Sequence, residues 1–336
     1  MARRVTLRDV ADRAGVSVTT VSNVVRGWQF IASDTRARVE EAIAELGYSP
    51  HFIAQGLRTG RTQAIGLIVP DLANLYFAVM VETIETAAQE RGYNVLVFST
   101  HNSPEREAQA IEQVTARWVD GLLIVQSTQE ARTGTLLADL DIPLVALDRV
   151  PSDYTGAWCT IDNHAVVRLA IGHLRDLGHT DIAMIVAPRD ISVVEARVEA
   201  FLALTDGRGR LIPTGDDFGL HGGYSAIVRL LDAGEALPTA FFASNDMMAA
   251  GAMRALSERG LRIPQDISLV GMDDVPICSY LTPALTTVRQ PLELLANAGI
   301  ALLLSLIDDK PTDAHVVLMP ELVVRESTAP PRKAAS

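Results

Sequence analysis

The sequence has only two cysteines, Cys159 and Cys278, and they lie far apart in apolar surroundings. This excludes a disulfide framework and gives no spacing typical of a metal site. No apolar run of 18 residues occurs, and the first ten residues, MARRVTLRDV, contain no apolar stretch of signal-peptide length. We therefore expect a cytoplasmic protein that stays in a reducing compartment and has no membrane partner.

The sequence also lacks the motifs that accompany common enzyme chemistry. It has no G-x-S-x-G nucleophile elbow, no Walker phosphate loop and no G-x-G-x-x-G after the first predicted strand. Its seven histidines form no H-E-x-x-H pair, the zinc motif of metalloproteases. We therefore expect no enzyme activity, no catalytic residues, no cofactor and no metal site.

Positive charge is concentrated at the start of the chain. The 336 residues have a formal net charge of −12, but residues 1–61 contain nine Arg and six Asp or Glu, a balance of +3. The other 275 residues contain 20 basic and 35 acidic side chains, a balance of −15. Charge is therefore interpreted for each domain separately, and the basic segment is the candidate for a polyanionic partner.

That basic segment begins with the pattern of two short helices, TLRDVADRAGVSVTTVSNVV at residues 6–25. Thr6 and Asp9 have the spacing of an N-cap and an acidic residue at N3, and apolar residues follow at helical spacing. Gly15 ends this helix, and Ser17 can cap a second one that runs to about residue 25 or 26. Two short helices joined by a tight glycine-containing turn predict a helix-turn-helix.

The second predicted helix has one core face and one outward face. A helical wheel assigns to the outward face Val18, Thr19, Ser22, Asn23 and Arg26. Val18 has nothing to pack on there unless a partner supplies it, as a thymine methyl group in the major groove would, and Asn23 can pair with an adenine edge. The alternative is an ordinary α-hairpin with a solvated face.

A third helix and a family resemblance favour DNA binding. SDTRARVEEAIAELGY, residues 33–48, predicts a helix that completes a headpiece over residues 1–48. The stretch DVADRAGVSVTTVSNVV resembles the helix-turn-helix signature of the lactose-repressor (LacI-type) family of bacterial transcription regulators, and the similarity continues to about Arg325. The resemblance implies that Val18, Thr19 and Asn23 read base edges. The predicted DNA contacts of the headpiece are Thr6, Ser17, Val18, Thr19, Ser22, Asn23 and Arg26.

Residues 49–63 form the predicted hinge and linker. The segment SPHFIAQGLRTGRT begins with a proline suited to a helix start, but the helix would be too short to be stable alone. The resemblance implies a hinge helix that forms when two subunits meet on the operator, with Leu57 wedged between base steps in the minor groove and Ala54 and Arg58 also at the DNA. The alternative is a plain linker whose Leu57 packs on its own domain.

Residues 64–328 alternate short apolar runs with helical patterns, from AIGLIV and NVLVFS to TAFFASN and ISLVGMDD. This alternation predicts parallel sheets covered by helices, and the length predicts two α/β subdomains. The resemblance extends to sugar-binding periplasmic proteins. The predicted fold is therefore an all-α helix-turn-helix headpiece with a hinge helix, followed by a periplasmic-binding-protein-like α/β domain. Residues 329–336 are predicted to be a disordered tail.

Polar side chains stand at the ends of predicted strands, where such sheets bind ligands. The candidates at strand ends are Asp71, Gln126, Asp148 with Arg149, Asn245 and Asp273, a set that suits a polyhydroxylated ligand. The resemblance implies that sugar hydroxyls are held by Asp148, Arg197, Asn245 and Asp273, and that the effector is enclosed by Tyr76, Phe77 and Phe218.

Each candidate has a structural alternative. Arg197, in an apolar helical pattern, could form a buried ion pair, and Asp148 could pair with Arg149 instead of a ligand. Asn245 or Asp273 could cap the element that follows. The aromatic candidates could simply belong to the core.

Two departures from the family pattern bear on the effector. Ile191 and Val193 stand where a purine-responsive member has polar groups that hold its nucleobase, which counts against a purine effector. The stretch from Phe201 to Gly215 is shorter than is usual in the family, so we expect a shorter helix or loop beside the cleft.

These observations predict a ligand-responsive transcription regulator, a repressor of a carbohydrate-utilisation operon that binds a palindromic DNA operator as a homodimer. A sugar or sugar derivative would bind in the cleft between the subdomains. The alternatives are a nucleoside or other metabolite as effector, activation instead of repression, or a solute-binding protein. The tail has no heptad repeat, so no tetramer-forming helix is predicted.

Overall fold

The structure is a computed structural model that describes residues 5–25, 28, 30–48, 61–116, 119–127, 137, 139–151, 153–187, 191–215, 217–311 and 314–332. The chain divides into two compact units, Met1–Thr62 and Gln63–Ser336. The first unit is helical and the second is α/β, in agreement with the predicted fold class.

Three helices form the described part of the first unit: α1 (Leu7–Ala14), α2 (Val18–Val25) and α3 (Ser33–Leu46). The backbone N–H of Thr6 donates to Asp9 Oδ2 at 2.7 Å, and the N–H of Asp9 donates to Thr6 Oγ1 at 3.3 Å, so the predicted capping box forms. Gly15 ends α1 with a φ of 64°, a left-handed conformation that glycine adopts without strain. The core of this unit comprises Val10, Ala11, Ala14, Val21, Val24, Val39 and Ala42.

Among the residues that the structure describes, the second unit contains two six-stranded sheets. In chain order its strands are β1 (Ala64–Val69), β2 (Asn94–Ser99), β3 (Gly121–Ile124), β4 (Leu144–Leu147), β5 (Ala157–Ile161), β6 (Ile182–Val186), β7 (Arg210–Pro213), β8 (Ala240–Ala243), β9 (Ser268–Asp273), β10 (Thr286–Arg289), β11 (His315–Leu318) and β12 (Glu321–Val323). The first sheet has the order β11-β5-β4-β3-β1-β2 and the second β12-β10-β9-β8-β6-β7. Pairing is parallel except between β10 and β12.

Helices cover these sheets: α4 (Leu75–Gln89), α5 (Pro104–Ala116), α6 (Asn163–Asp176), α7 (Ser192–Leu204), α8 (Leu220–Asp232), α9 (Asp246–Glu258) and α10 (Leu292–Ile307). α10 packs on α4 and on the first sheet, whereas α6 packs on α7 and on the second sheet. The chain therefore crosses between the two subdomains three times: from β5 to α6, from β10 to α10 and from β11 to β12. Because the strands in each sheet are parallel, their carboxyl ends share one edge and can present side chains to a common cleft.

Burial explains why the predicted apolar runs became strands. In β3, β4, β6 and β8 every residue is buried, as expected for parallel strands covered on both faces. Gly66 in β1 lets α5 approach closely, since a Cβ at this position would lie 2.4 Å from a methyl carbon of Val114. No helix in the described ranges is long and apolar enough to span a membrane.

The C-terminal segment is attached to the second subdomain beyond the predicted domain boundary at residue 328. The carbonyl of Ser327 accepts a hydrogen bond from the backbone N–H of Leu269 at 2.8 Å, and the carbonyl of Ala329 accepts one from Ser268 Oγ at 2.9 Å. The ordered contacts thus include Ala329, the first residue assigned to the disordered tail. Backbone and side-chain groups of the folded domain thus hold this segment.

Candidate effector cleft and DNA-contact face

The outward face of α2 offers Val18 and Thr19 to a partner. Val18 is 42 % exposed, an unusual position for a valine in a small helical unit, and Thr19 is exposed while Asn23 is half-buried. Ser17 is exposed too, but its Oγ accepts a hydrogen bond from the backbone N–H of Thr20 at 3.1 Å, so it caps α2. An exposed valine beside polar side chains suits the major groove of DNA, where apolar groups can contact thymine methyls and polar groups can bind base edges.

The structure corrects one placement on this face. Ser22 is only 5 % exposed, although the helical wheel assigned it to the outward side. The reason is that α2 packs against both α1 and α3, so the core covers more than one side of this eight-residue helix. Thr6 is exposed and acts as the cap of α1. Four further predicted DNA contacts lie outside the described residues: Arg26, Ala54, Leu57 and Arg58.

In the second unit, eight of the ten predicted effector residues line one cleft between the two sheets. The space between these residues, including the part open to solvent, is about 390 Å³. Its predicted members are Tyr76, Phe77, Asp148, Arg149, Arg197, Phe218, Asn245 and Asp273. The complete lining adds Asn74, Ala187, Val193, Val194, Ser244 and Gln290.

Strand ends and helix starts position these groups. Asp148 follows β4 and Asp273 ends β9, and both have positive φ values, 57° and 119°. Such angles are uncommon for residues other than glycine, although aspartate adopts them more often than most. Tyr76 and Phe77 lie in the first turn of α4, while Arg197 reaches the cleft from α7.

A hydrogen-bonded chain crosses the cleft. Tyr76 Oη donates to Gln290 Oε1 at 3.1 Å, and Gln290 Nε2 donates to Asp273 Oδ1 at 2.7 Å. Tyr76 belongs to the subdomain of the first sheet and Asp273 to that of the second. The amide of Gln290 therefore connects the two walls.

The two cleft arginines bind no carboxylate within the described residues. Arg197 Nε donates to Asn163 Oδ1 at 2.7 Å and its Nη1 donates to the Ser244 carbonyl at 3.3 Å. The Arg149 guanidinium lies 5.1 Å from the ring centre of Phe77 and 5.4 Å from that of Phe218, within cation–π range. Among the described residues, neither the buried ion pair considered for Arg197 nor an Asp148–Arg149 pair is formed.

Burial perturbs every ionisable group in the cleft. Burial raises the pKa of Asp148, against the opposing effect of Arg197 and Arg149. Its Oδ1 has no hydrogen-bond partner among the described residues. The pKa of Asp273 is raised well above its usual value by burial and by the neighbouring Asp246 carboxylate. Burial also lowers the pKa of both arginines. Buried charged groups without ion-pair partners are costly, so the cleft is prepared for a ligand that supplies hydrogen bonds.

Asn245 has the structural role that the sequence left open. Its Oδ1 accepts the backbone N–H of Met248 at 2.7 Å as the N-cap of α9, and its Nδ2 donates to the Phe218 carbonyl at 2.8 Å. It therefore lines the cleft and also holds the Phe218 loop in place. Asn74 likewise caps α4 through its Oδ1. The sequence analysis missed Asn74, although an asparagine between a strand and a helix is a typical N-cap signal.

Two predicted residues lie outside this inner cleft. Asp71 lines an adjoining outer compartment, which shares Asn74, Phe77, Arg149 and Phe218 with the inner one and has an empty volume of about 950 Å³. Gln126 lines neither compartment; it is 3 % exposed, and no described residue forms a hydrogen bond with its Nε2. Within the described part of the chain, no cluster of three or more His, Cys, Asp or Glu is arranged to hold a metal ion.

Comparison with known proteins supports the division into a DNA-binding and a ligand-binding unit. Residues 6–51 match the family described as bacterial regulatory proteins, lacI family, and residues 171–328 match the periplasmic binding protein-like domain. The HTH-type transcriptional repressor PurR of Pectobacterium carotovorum is 37% identical over 334 residues, covering 96% of this chain and 97% of its own length.

Solved structures agree with this assignment. The Lac repressor dimer bound to operator and the anti-inducer ONPF superposes with a TM-score of 0.84 at 32% identity, covering 97% of this chain and 100% of its own. The complex of the regulator CelR with cellobiose has a TM-score of 0.70 at 29% identity, covering 96% of this chain and 100% of its own. The chain therefore belongs to the LacI family of bacterial regulatory proteins and is a regulator, not an enzyme.

Proposed function

We propose that this protein is a transcriptional repressor that binds a palindromic operator as a homodimer and responds to a neutral, polyhydroxylated effector, a sugar or sugar derivative. The observation that carries the effector class is the composition of the inner cleft. It combines two carboxyl groups and two guanidinium groups, all buried and without an ion-pair partner among the described residues, beside aromatic rings. Hydroxyl groups both donate and accept hydrogen bonds, so a polyol can satisfy the two kinds of group at once.

The charge balance of the cleft supports a neutral ligand. Two acidic side chains, Asp148 and Asp273, and two basic ones, Arg149 and Arg197, line the same buried cleft, so neither type is in excess to bind a charged effector. Phe77 and Phe218 offer apolar faces to the C–H surface of a sugar ring. Polar groups for orientation within a partly aromatic cavity are the usual design of small-molecule sites.

A nucleoside or other metabolite is the second candidate, favoured by the relatives named PurR. Ile191 and Val193, the apolar residues predicted to disfavour a purine, count against this candidate. Val193 lines the inner cleft and Ile191 is 2 % exposed, so neither presents a polar group to a nucleobase. The sugar proposal is therefore retained ahead of the nucleoside.

The DNA-binding proposal rests on the first unit. In this proposal, Val18, Thr19 and Asn23 of each headpiece read base edges in a half-site, while arginines and backbone groups contact phosphates. The crystal structure of the Lac repressor dimer on its operator, which aligns along almost the whole chain, supports a dimer in which two headpieces bind one palindrome.

Thermal melting against sugars, sugar acids, polyols and nucleosides tests the effector class. A ligand at about 100 times its Kd should add roughly 2.7 kcal/mol to the free energy of unfolding, a shift of several degrees in Tm. Stabilisation by a sugar supports the proposal. Stabilisation by nucleosides alone contradicts it and favours the second candidate.

A further inference from the structure

We propose that Arg325, in the segment after β12, is a positioning residue for effector binding, which holds the Asp273 carboxyl in the cleft by binding the neighbouring Asp274. Neither Arg325 nor Asp274 lines the cleft. The inference rests on the proposed function only in that Asp273 binds the effector, whatever the chemical class of that effector. It gives the C-terminal segment a role in ligand binding.

The backbone of Asp273 requires support from its surroundings. Its φ of 119° lies beyond the left-handed region, about 50° to 70°, that aspartate adopts most readily. The next residue, Asp274, also has a positive φ, 59°. A sparsely populated conformation persists only where the surrounding structure enforces it. Contacts from other elements therefore hold the turn after β9 in the shape that directs Asp273 into the cleft.

Two guanidinium groups bind the carboxylate of Asp274, one at each oxygen. Arg325 Nη2 donates to Oδ1 at 2.5 Å, and Arg289 Nε donates to Oδ2 at 2.7 Å. The Asp274 side chain is only 7 % exposed, so water competes little for these bonds. Hydrogen bonds between charged groups are also stronger than those between neutral ones. Asp274, and with it the backbone of Asp273, is therefore restrained from outside the cleft.

Arg325 is the better anchored of the two arginines. Its backbone N–H donates to Thr286 Oγ1 at 2.9 Å, and its Nη1 donates to the Leu285 carbonyl at 2.8 Å. Its side chain is 17 % exposed, whereas that of Arg289 is 47 % exposed and also lies 3.5 Å from Glu321. Exposed ion pairs contribute little to stability. The more deeply buried Arg325 therefore supplies most of the restraint.

The other bonds at this turn do not replace Arg325. Gln290 Nε2 donates to Asp273 Oδ1 at 2.7 Å, and the backbone N–H of Val275 donates to Asp246 Oδ2 at 3.0 Å. These bonds hold the residues on either side of Asp274 and leave its own carboxylate unbound. Without Arg325, a buried carboxylate would lose one of its two cationic partners, and such a group moves toward water. The turn would then relax and displace the Asp273 carboxyl.

A role limited to attaching the C-terminal segment is the alternative for Arg325. In that case Arg325→Gln lowers the Tm, but the folded variant binds the effector with wild-type affinity. A positioning role lowers the affinity itself, measured at a temperature at which each variant is fully folded. The two roles are therefore separated by comparing Tm with affinity.

Hydrogen exchange in the full chain, without added ligand, tests the restraint on the turn. We expect faster exchange than in wild type for a peptide of residues 268–276 in Arg325→Gln. Arg325→Lys should show a smaller increase, because an ammonium keeps the charge but not the fixed fork of donors. Glu321→Gln is the matched control, since it removes a charge that faces Arg289 and no bond to Asp274. Its exchange should equal that of wild type.

Calorimetry tests the effect on binding. The probes are D-glucose, D-galactose and D-ribose, with adenosine and guanosine as nucleosides. We expect Arg325→Gln to bind the probe that binds wild type at least about tenfold more weakly, and Arg325→Lys to recover part of this loss. Asp274→Asn should weaken binding similarly. Adding it to Arg325→Gln should weaken binding no further, because Arg325 acts through Asp274.

Either wild-type exchange or wild-type affinity in Arg325→Gln overturns the inference and leaves the proposed function intact. Additive losses in the double variant, or an equal loss in Glu321→Gln, also overturn it, because they indicate a general destabilisation. If only a nucleoside binds wild type, the proposed effector class is wrong, but a tenfold loss of that nucleoside in Arg325→Gln still supports the inference. The exchange measurement needs no ligand and decides between the two roles whichever probe binds.

Discussion

Arg197 illustrates how one buried residue prepares the cleft. Arg197 is 7 % exposed, and its guanidinium is held by an amide oxygen and a backbone carbonyl and by no carboxylate of the described residues. The remaining donors are thus oriented without being neutralised, which leaves a directed positive group for a ligand.

Replacing this residue should separate the two functions of the protein. We expect Arg197→Ala to abolish the effector-induced shift in Tm and to leave operator affinity unchanged, because the residue lies in the second unit. Thermal melting with the stabilising sugar and operator titration measure the two effects. Arg254→Ala is the control, an exposed arginine on α9 that pairs with Glu258 at 2.7 Å. A retained shift in Arg197→Ala would remove Arg197 from the effector site.

Asp246 is a fully buried carboxylate one residue beyond Asn245. Its Oδ2 accepts the backbone N–H of Val275 at 3.0 Å, and its Oδ1 accepts Thr287 Oγ1–H at 2.6 Å. Gly271 makes room for it, since a Cβ there would lie 2.2 Å from Oδ1. Asp246 thus connects α9 to the strand end that carries Asp273.

Burial raises the pKa of Asp246 in the folded state to about 6, whereas in the unfolded chain it is about 4. Between these two pH values the folded state keeps a proton that the unfolded state has lost, and this stabilises the fold. The free energy of unfolding should therefore fall as the pH rises through this window. Asp246→Asn cannot ionise, and its profile should lack this component, of the order of 3 kcal/mol. Urea titrations from pH 4 to 8 provide the comparison, with the exposed Asp139→Asn as control. Parallel profiles for wild type and Asp246→Asn would contradict the assignment.

At the scale of elements, the C-terminal segment shows how a short irregular stretch is held in place. His179 Nε2 lies 2.8 Å from the Ala329 carbonyl and 3.1 Å from Ser268 Oγ, and its Nδ1 lies 2.9 Å from Thr239 Oγ1. The buried imidazole therefore links the C-terminal segment to Ser268, at the start of β9, and to Thr239, just before β8. Burial lowers its pKa, so the folded state favours the neutral ring.

This attachment should weaken in acid. Because the folded pKa of His179 lies below the unfolded value of about 6.5, its contribution is complete above that pH and is lost as the pH falls toward the folded pKa. Asp246 acts in the opposite direction in both proteins, so the comparison is between them: from pH 7.5 to 5.5 the Tm of wild type should decrease relative to that of His179→Gln. His164→Gln, at an exposed position, is the control. Equal decreases in wild type and His179→Gln would show that the ring does not control this transition.

Some helices and strands could be predicted from the local sequence pattern, and others could not. The capping box of α1, the helices α2 and α3 and the apolar strands from β1 to β4 follow directly from spacing along the chain. Four strands were not predicted: β5, β10, β11 and β12. β11 and β12 are short edge strands with partly exposed residues, and so they lack the apolar run that identifies a buried strand.

At the scale of the whole molecule, regulation requires that the effector-binding unit influence the DNA-binding unit. Coupling between two such sites is typically about 1 to 3 kcal/mol. The segment between them includes Leu57, which lies outside the described residues. Its role therefore stays a prediction from the family resemblance.

Leu57→Ala tests that role. If Leu57 wedges between base steps, the substitution should weaken operator binding by at least about tenfold, since opening a step involves a few kcal/mol. Effector-induced stabilisation should be unchanged. Fluorescence titration with a palindrome selected from random DNA measures the affinity, and Leu294→Ala serves as an exposed-leucine control. Wild-type affinity in Leu57→Ala would identify the segment as a plain linker.

The sequence by itself determined the helix-turn-helix, the segregation of charge, the alternating α/β pattern and most candidate cleft residues. These features depend on periodicity and caps within a few turns of chain, so local physical chemistry specifies them. Only the tertiary structure decided that Ser22 is buried, that Gln126 lies outside the cleft and that Gln290 lies within it. The bond between Tyr76 and Gln290 joins positions 214 residues apart. Three crossings between the subdomains bring such groups together, and that packing of distant elements leaves no periodic signal in the sequence.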